Sequence, residues 1–140
     1  MLNLDPNSEF GARVQRRLRD EELAWLTTVD GSGTPRSVPV WFHWDGETVL
    51  IFSEPGQLKV RNIERNPRVS LHLQAAADGG DVITLTGDAR IDTATPVLAD
   101  YPDYLEKYRT GIKRIGLTPE QMLAQYSTVI RITPDRVSGH

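Results

Sequence analysis

Hydrophobic and polar residues along this chain alternate in short runs, and turn residues cut the runs apart. The clearest run is 68–74, where Val69, Leu71 and Leu73 alternate with Arg68, Ser70 and His72. Successive strand side chains point to opposite faces, so this period of two predicts a half-buried strand over Arg68 to Gln74. Leu23 to Val29 is apolar and β-rich and runs into the turn Asp30-Gly31-Ser32-Gly33. Ser37 to Trp44 is again extended in style, and Asp45-Gly46 is a strong hairpin signal before Thr48 to Ser53. Together these segments predict a meander. Val82 to Ile91 reads as a further strand, with Gly87 marking a bulge or a close backbone approach, and Thr128 to Thr133 as the last.

Helical spacing is confined to short stretches. Ser8 to Arg19 predicts a first helix, capped by Asn7 or Ser8, with a basic exposed face built from Arg13, Arg16, Arg17 and Arg19. Leu58 and Ile63, with Lys59, Arg61, Asn62 and Glu64 between and beside them, predict a short helix closed by Asn66-Pro67, because the residue before proline disfavours the helical conformation. Thr95 to Arg109 predicts a helix interrupted by Pro102. Thr118-Pro119-Glu120-Gln121 has the cap, the first-position proline and the returning Gln of a capping box. Six strands and three or four short helices predict a mainly β fold, a small antiparallel barrel with peripheral helices, as one domain over 1–140.

Composition narrows the chemistry. Eleven glycines and nine prolines in 140 residues fit a chain with many turns. The formal charge of −3 provides no basic face for nucleic acid, although Lys59, Arg61, Arg65 and Arg68 form a local cluster able to meet a small anion. The absence of cysteine excludes disulfides, thiolate metal sites and Cys nucleophiles. No apolar run approaches the roughly 20 residues of a membrane span, and Met1 to Phe10 lacks the layout of a signal peptide, so a cytoplasmic location is expected. His43, His72 and His140 have no metal-ligand spacing, and neither a phosphate-binding glycine loop nor a Gly-x-Ser-x-Gly elbow occurs.

Two segments carry candidate chemistry. In Pro35-Arg36-Ser37-Val38-Pro39-Val40-Trp41-Phe42, Pro39 has no N–H to give a ladder. Either this is an edge strand, or a flat ligand lies against it and meets the backbone of Val38, Val40 and Trp41. Trp41 and Trp44, three apart, point to opposite faces. In Phe52-Ser53-Glu54-Pro55-Gly56-Gln57-Leu58-Lys59, a hydroxyl at a strand end precedes a turn and a helix start bearing Lys59. This is either a solvated basic helix or a phosphate cradle.

The motif order Gly33-x-Pro35-Arg36-x-Val38-Pro39-Val40, Asp45-Gly46, Phe52-Ser53, Gly56, Lys59, Asn62 and Asn66-Pro67-Arg68-Val69 resembles the pyridoxamine phosphate oxidase-like superfamily. Within it the chain resembles the class that uses the deazaflavin coenzyme F-420, and the likeness covers about Leu23 to Ile91. The resemblance implies a six-stranded antiparallel split β-barrel of the FMN-binding type, a homodimer with the cofactor in a groove at its interface, and a small-molecule substrate. In the oxidase branch an Arg-x-Val-Leu-Leu-Lys strand and a Ser-Arg-Lys turn hold the FMN phosphate. Arg36 and Lys59 match the outer cations of those motifs, while Trp41 stands in place of Lys and Leu58 in place of Arg. The resemblance therefore favours coenzyme F-420 over FMN. It implies ring contacts from Val38, Pro39, Val40 and Trp41, phosphate or ribityl contacts from Ser53, Lys59 and Asn62, and support for the anionic part from Arg36. It implies an oxidoreductase that passes hydride to a small organic acceptor and designates no catalytic side chain; the alternatives are an FMN-binding oxidase or reductase of the same fold and a protein that binds flavin, deazaflavin or a haem-type group without turnover.

Overall fold

The computed structural model describes residues 4–93 and 98–139. Helix α1 spans Glu9–Asp20, and Ser8 caps it, its Oγ accepting from the Gly11 amide at 2.9 Å. Strands β1 (Ala24–Val29) and β2 (Pro35–Val40) form the first hairpin, followed by β3 (His43–Trp44) and β4 (Val49–Ser53). Helix α2 (Leu58–Arg65) precedes β5 (Arg68–Leu73) and β6 (Ile83–Ile91). A 3-10 turn (Leu98–Asp100) and helices α3 (Pro102–Lys107), α4 (Arg109–Arg114) and α5 (Pro119–Gln125) lead into β7 (Thr128–Gly139).

The strands form one antiparallel sheet in the order β2-β1-β5-β6-β7-β4-β3. In a flat sheet of this order the outer strands would lie about 29 Å apart, given a spacing near 4.8 Å. Yet β2 ends at Val40 and β3 begins at His43, and three residue steps reach at most about 11 Å. The sheet must therefore curl until its edges nearly meet, with Trp41 and Phe42 crossing the split. Ser37 to Trp44, expected as one of six strands, divides into β2 and β3. Seven are present among the described residues because Trp41 and Phe42 leave the ladder. Pro39, opposite Trp25, does lie on an edge strand, where its missing N–H costs no ladder bond.

Inside the curl, Leu26, Phe42, Ile51, Leu71, Leu85 and Ile130 pack with Val14 and Leu18 of α1 and Val60 and Ile63 of α2. β4 is buried on both faces. Val49 and Ile51 face this core, whereas Leu50 and Phe52 face a second cluster made with Leu98, Tyr104, Tyr108, Ile112 and Met122. The helices α3–α5 thus clamp the outside of β4, as a strand apolar on both faces requires.

Several boundaries differ from the sequence reading for identifiable reasons. The helix expected over Thr95 to Arg109 falls partly on residues 94–97, outside the described residues. Beyond them the chain breaks at Tyr101, restarts with Pro102 in the first helical turn, and continues to Arg114. β7 runs on to Gly139 instead of ending at Thr133, because Pro134 sits at a bulge opposite Gly87. A Cβ at Gly87 would lie 2.2 Å from the Thr133 carbonyl oxygen, so the glycine provides the close approach. Arg17 is not on a solvated basic face: its guanidinium donates to the carbonyls of Gln74 (2.6 Å) and Asp81 (2.7 Å) and ties α1 to the 74–81 loop.

Candidate cofactor site

A cleft of about 320 Å³ opens between the split in the sheet and the helical clamp. One wall comes from Pro39 and Val40 at the end of β2, Trp41 in the crossing, and Lys59 on α2. The floor is Ile51 and Phe52 of β4, and the other wall is Tyr104, Ile115, Met122 and Tyr126. Each position follows from local structure. Trp41 leaves the ladder and stacks on Tyr108, with ring centroids 4.7 Å apart and planes within 13°. Its indole also rests on Gly111, where an added Cβ would lie 3.0 Å from the ring. Trp44 turns the other way, packs against the main core and donates from its indole N–H to Gln15 at 2.8 Å.

Lys59 is the cation of this cleft. It is half-buried and makes no hydrogen bond or ion pair among the described residues. Burial pushes its pKa down, and the nearby Glu54 opposes that shift. A desolvated, unpaired ammonium gains most when an anion arrives to pair with it. On the opposite wall Tyr104 is 1% exposed, and burial raises its pKa well above the ordinary phenol value.

The structure brings together four of the eight residues singled out in the sequence: Pro39, Val40, Trp41 and Lys59. The other four lie elsewhere. Val38 is exposed on β2 beside the cleft. The Arg36 side chain folds back on the β1–β2 turn, its Nε 3.0 Å from Asp30 Oδ2. That carboxylate also accepts from the Ser32 hydroxyl and the Thr34 amide, and these contacts hold its pKa well below the usual range. Ser53 is buried and its hydroxyl donates to the Glu54 carbonyl. Asn62 is fully buried against β1, where its amide donates to the Thr28 hydroxyl at 3.1 Å. The sequence reading missed Tyr104, Met122 and Tyr126. Tyr101, Tyr104 and Tyr108 are spaced as one helical face, a pattern visible in the chain but obscured by Pro102.

A curled antiparallel sheet with an aromatic-walled cleft at its split defines a split-barrel domain of the flavin-binding type. The family described as pyridoxamine 5'-phosphate oxidase matches residues 10–140, and the chain belongs to it. It is 32% identical over 83 residues to the pyridoxine/pyridoxamine 5'-phosphate oxidase of Edwardsiella ictaluri (strain 93-146). That match takes in 59% of this chain and 38% of the relative, so the chain spans well under half of the relative's length. Among solved structures it is similar to an F420 reductase, with a TM-score of 0.68, 25% identity, and coverage of 89% of this chain and 94% of the other. It also shares the fold of General Stress Protein 26 from Bacillus anthracis str. Sterne, with a TM-score of 0.70, 22% identity and coverage of 93% and 92%. The family match and these likenesses bear out the split-barrel expectation and the resemblance to the pyridoxamine phosphate oxidase-like superfamily.

Proposed function

We propose that the chain is an oxidoreductase that takes hydride from reduced coenzyme F-420 and delivers it to a small organic acceptor. The observation that carries this reading is the half-buried Lys59, unpaired among the described residues, in a cleft whose other described lining residues are uncharged, beside a proline-interrupted edge strand. Such a cleft suits a flat ring with one anionic attachment. The deazaflavin, when bound, supplies the hydride chemistry. The chain's own residues bind and orient it: Pro39 and Val40 present backbone to the ring, Lys59 meets an anionic oxygen, and Trp41, Phe52 and Met122 keep water from the reacting face. The similarity to an F420 reductase over most of both chains supports this choice. FMN is the second reading, favoured by the similarity to pyridoxine/pyridoxamine 5'-phosphate oxidase. Against it, Trp41 and Leu58 occupy positions where that branch of the superfamily carries phosphate-holding cations, and Trp41 is packed on Tyr108.

The working form in this proposal is a homodimer. Residues 35–39 of β2 are exposed, and the exposed large hydrophobic residues Val38, Leu58 and Ile115 lie on the elements around the cleft mouth. A second copy covering this rim would complete the groove. Titration of the apo-protein with F-420 and with FMN in parallel, followed by tryptophan fluorescence, tests the cofactor. Tighter binding of F-420, weakened at least tenfold in Lys59→Ala, is the expected result. Tighter binding of FMN would overturn the deazaflavin reading, and binding of neither would overturn the oxidoreductase reading itself.

A further inference from the structure

We infer that the helical wall of the cleft is a subsite for a flat, uncharged, conjugated molecule bearing a carbonyl-type oxygen, held by a hydrogen bond from the Tyr104 hydroxyl. The inference rests on the reading above, in which the β2 and α2 side of the same cleft takes the cofactor.

The two sides of the cleft differ in chemistry. The β2 and α2 side offers backbone and one ammonium, whereas α3–α5 and the segment between them contribute Tyr104, Ile115, Met122 and Tyr126 and no charged group. Tyr104 is held rigidly: its ring meets Phe52 edge-on at 4.9 Å and packs on Tyr108 at 4.7 Å between centroids. Its hydroxyl makes no hydrogen bond among the described residues, although the residue is almost wholly buried. Buried phenols ordinarily find a protein partner; this hydroxyl has none among the described residues and is not one of the fully enclosed unpartnered atoms, so its access is through the cleft that the residue lines. Tyr108, four residues on, shows the ordinary case, with its hydroxyl bonded to both Phe42 and Glu22. One phenol of this helical face serves the fold, and the other is left to the cleft.

The ligand class follows from the walls. A phenol is neutral across the physiological range, and with no partner among the described residues the Tyr104 hydroxyl has its proton free to donate to a carbonyl-type oxygen. Apolar surroundings on that side disfavour an ionised ligand. Trp41, Phe52 and Tyr126 present rings that favour a planar partner, and Met122 adapts to its outline. Without cofactor, the whole cleft of about 320 Å³ lies at the small end for ligand sites and admits a two-ring molecule.

A matched pair of probes tests the inference: 2-acetylnaphthalene and 2-ethylnaphthalene share a ring system and size but differ by the carbonyl oxygen. Both are titrated calorimetrically against the full chain without cofactor, and against Tyr104→Phe. The expected result is that the preference for the ketone over the hydrocarbon falls roughly three- to tenfold in the variant, the worth of one neutral hydrogen bond. Hydrocarbon affinity stays within about twofold, and the variant keeps the wild-type melting temperature because the hydroxyl bonds no other group among the described residues. An unchanged preference, binding of neither probe, or a lower melting temperature with equal loss for both probes would overturn it. If the preference falls while neither F-420 nor FMN binds, the subsite stands and the oxidoreductase reading fails. If a cofactor binds and the preference is unchanged, the reverse holds.

Discussion

The Tyr108 hydroxyl joins the two chain segments just past the end of the β1–β2 ladder, accepting from the Phe42 amide at 3.1 Å and donating to the Glu22 carbonyl at 2.6 Å. The Phe42 carbonyl lies 3.2 Å from the same hydroxyl and 3.5 Å from Lys107 Nζ. Phe42 belongs to neither edge strand, so no ladder satisfies its backbone, and it is fully buried. One side chain from the helical clamp does what a neighbouring strand would otherwise do.

Tyr108→Phe removes these bonds and keeps the ring that carries Trp41. It leaves a buried amide unsatisfied, at a cost of about 1–3 kcal/mol. Urea unfolding with an unchanged m-value should report that loss. Wild-type stability in the variant would mean that the Phe42 amide is satisfied without this hydroxyl.

Gly111 sets how deeply Trp41 sits against α4. On helix propensity alone Gly111→Ala should stabilise by about 1 kcal/mol. The added Cβ would meet the indole at 3.0 Å, while Tyr108 holds the ring by stacking. The ring must therefore lift toward the cleft that it lines. The expected outcome is little net change in stability, a shift in tryptophan emission, and cofactor affinity reduced several-fold. Unchanged emission and affinity together with a full gain in stability would show that Trp41 is not held there.

The proposed dimer makes a separate demand on β2. Val38 is 37% exposed at the edge of the sheet, next to Pro39. Val38→Glu places a charge on this rim and should shift light-scattering mass toward the monomer, with cofactor affinity falling in step. The folded monomer should keep its circular dichroism, since residue 38 adds little to the core. A variant that stays dimeric with full affinity would exclude this rim as the interface.

Much of this architecture was legible in the chain. The alternation in 68–74, the glycine at 87 and the capping box at Thr118 each express a local rule that the fold obeys. The split was not legible, because the apolar run Val40-Trp41-Phe42 suits a buried strand as well as a crossing, and no turn residue marks the place where the ladder is lost. The orientation of Asn62 was equally hidden: polar residues are expected outside, and only the Thr28 hydroxyl across the helix–sheet contact makes an inward amide tolerable. Half of the cleft comes from α3–α5, whose apolar face is legible only once Leu50 and Phe52 are known to point outward from the sheet.

Lys107 gives the clamp a pH dependence. Its ammonium lies 4.3 Å from the centre of the Phe42 ring, and burial pushes its pKa down to about 8, opposed by Glu22, Asp20 and Glu21. In the unfolded chain the group titrates near its ordinary 10.5. Between these values the unfolded state binds more protons than the folded state, so this group makes stability rise as pH climbs from about 8 toward 10.5. Tyr104 and Tyr108 act in the opposite sense above pH 10, because burial raises their pKa values and folding then disfavours the phenolate. The clean window is therefore about pH 8 to 9.5. Over it, wild-type stability should gain relative to Lys107→Met, whose own profile lacks this contribution. At pH 7 the variant should be the more stable protein unless the ammonium's contacts with Phe42 outweigh its burial. Parallel stability profiles for the two proteins between pH 8 and 9.5 would show that Lys107 keeps an ordinary pKa in the fold.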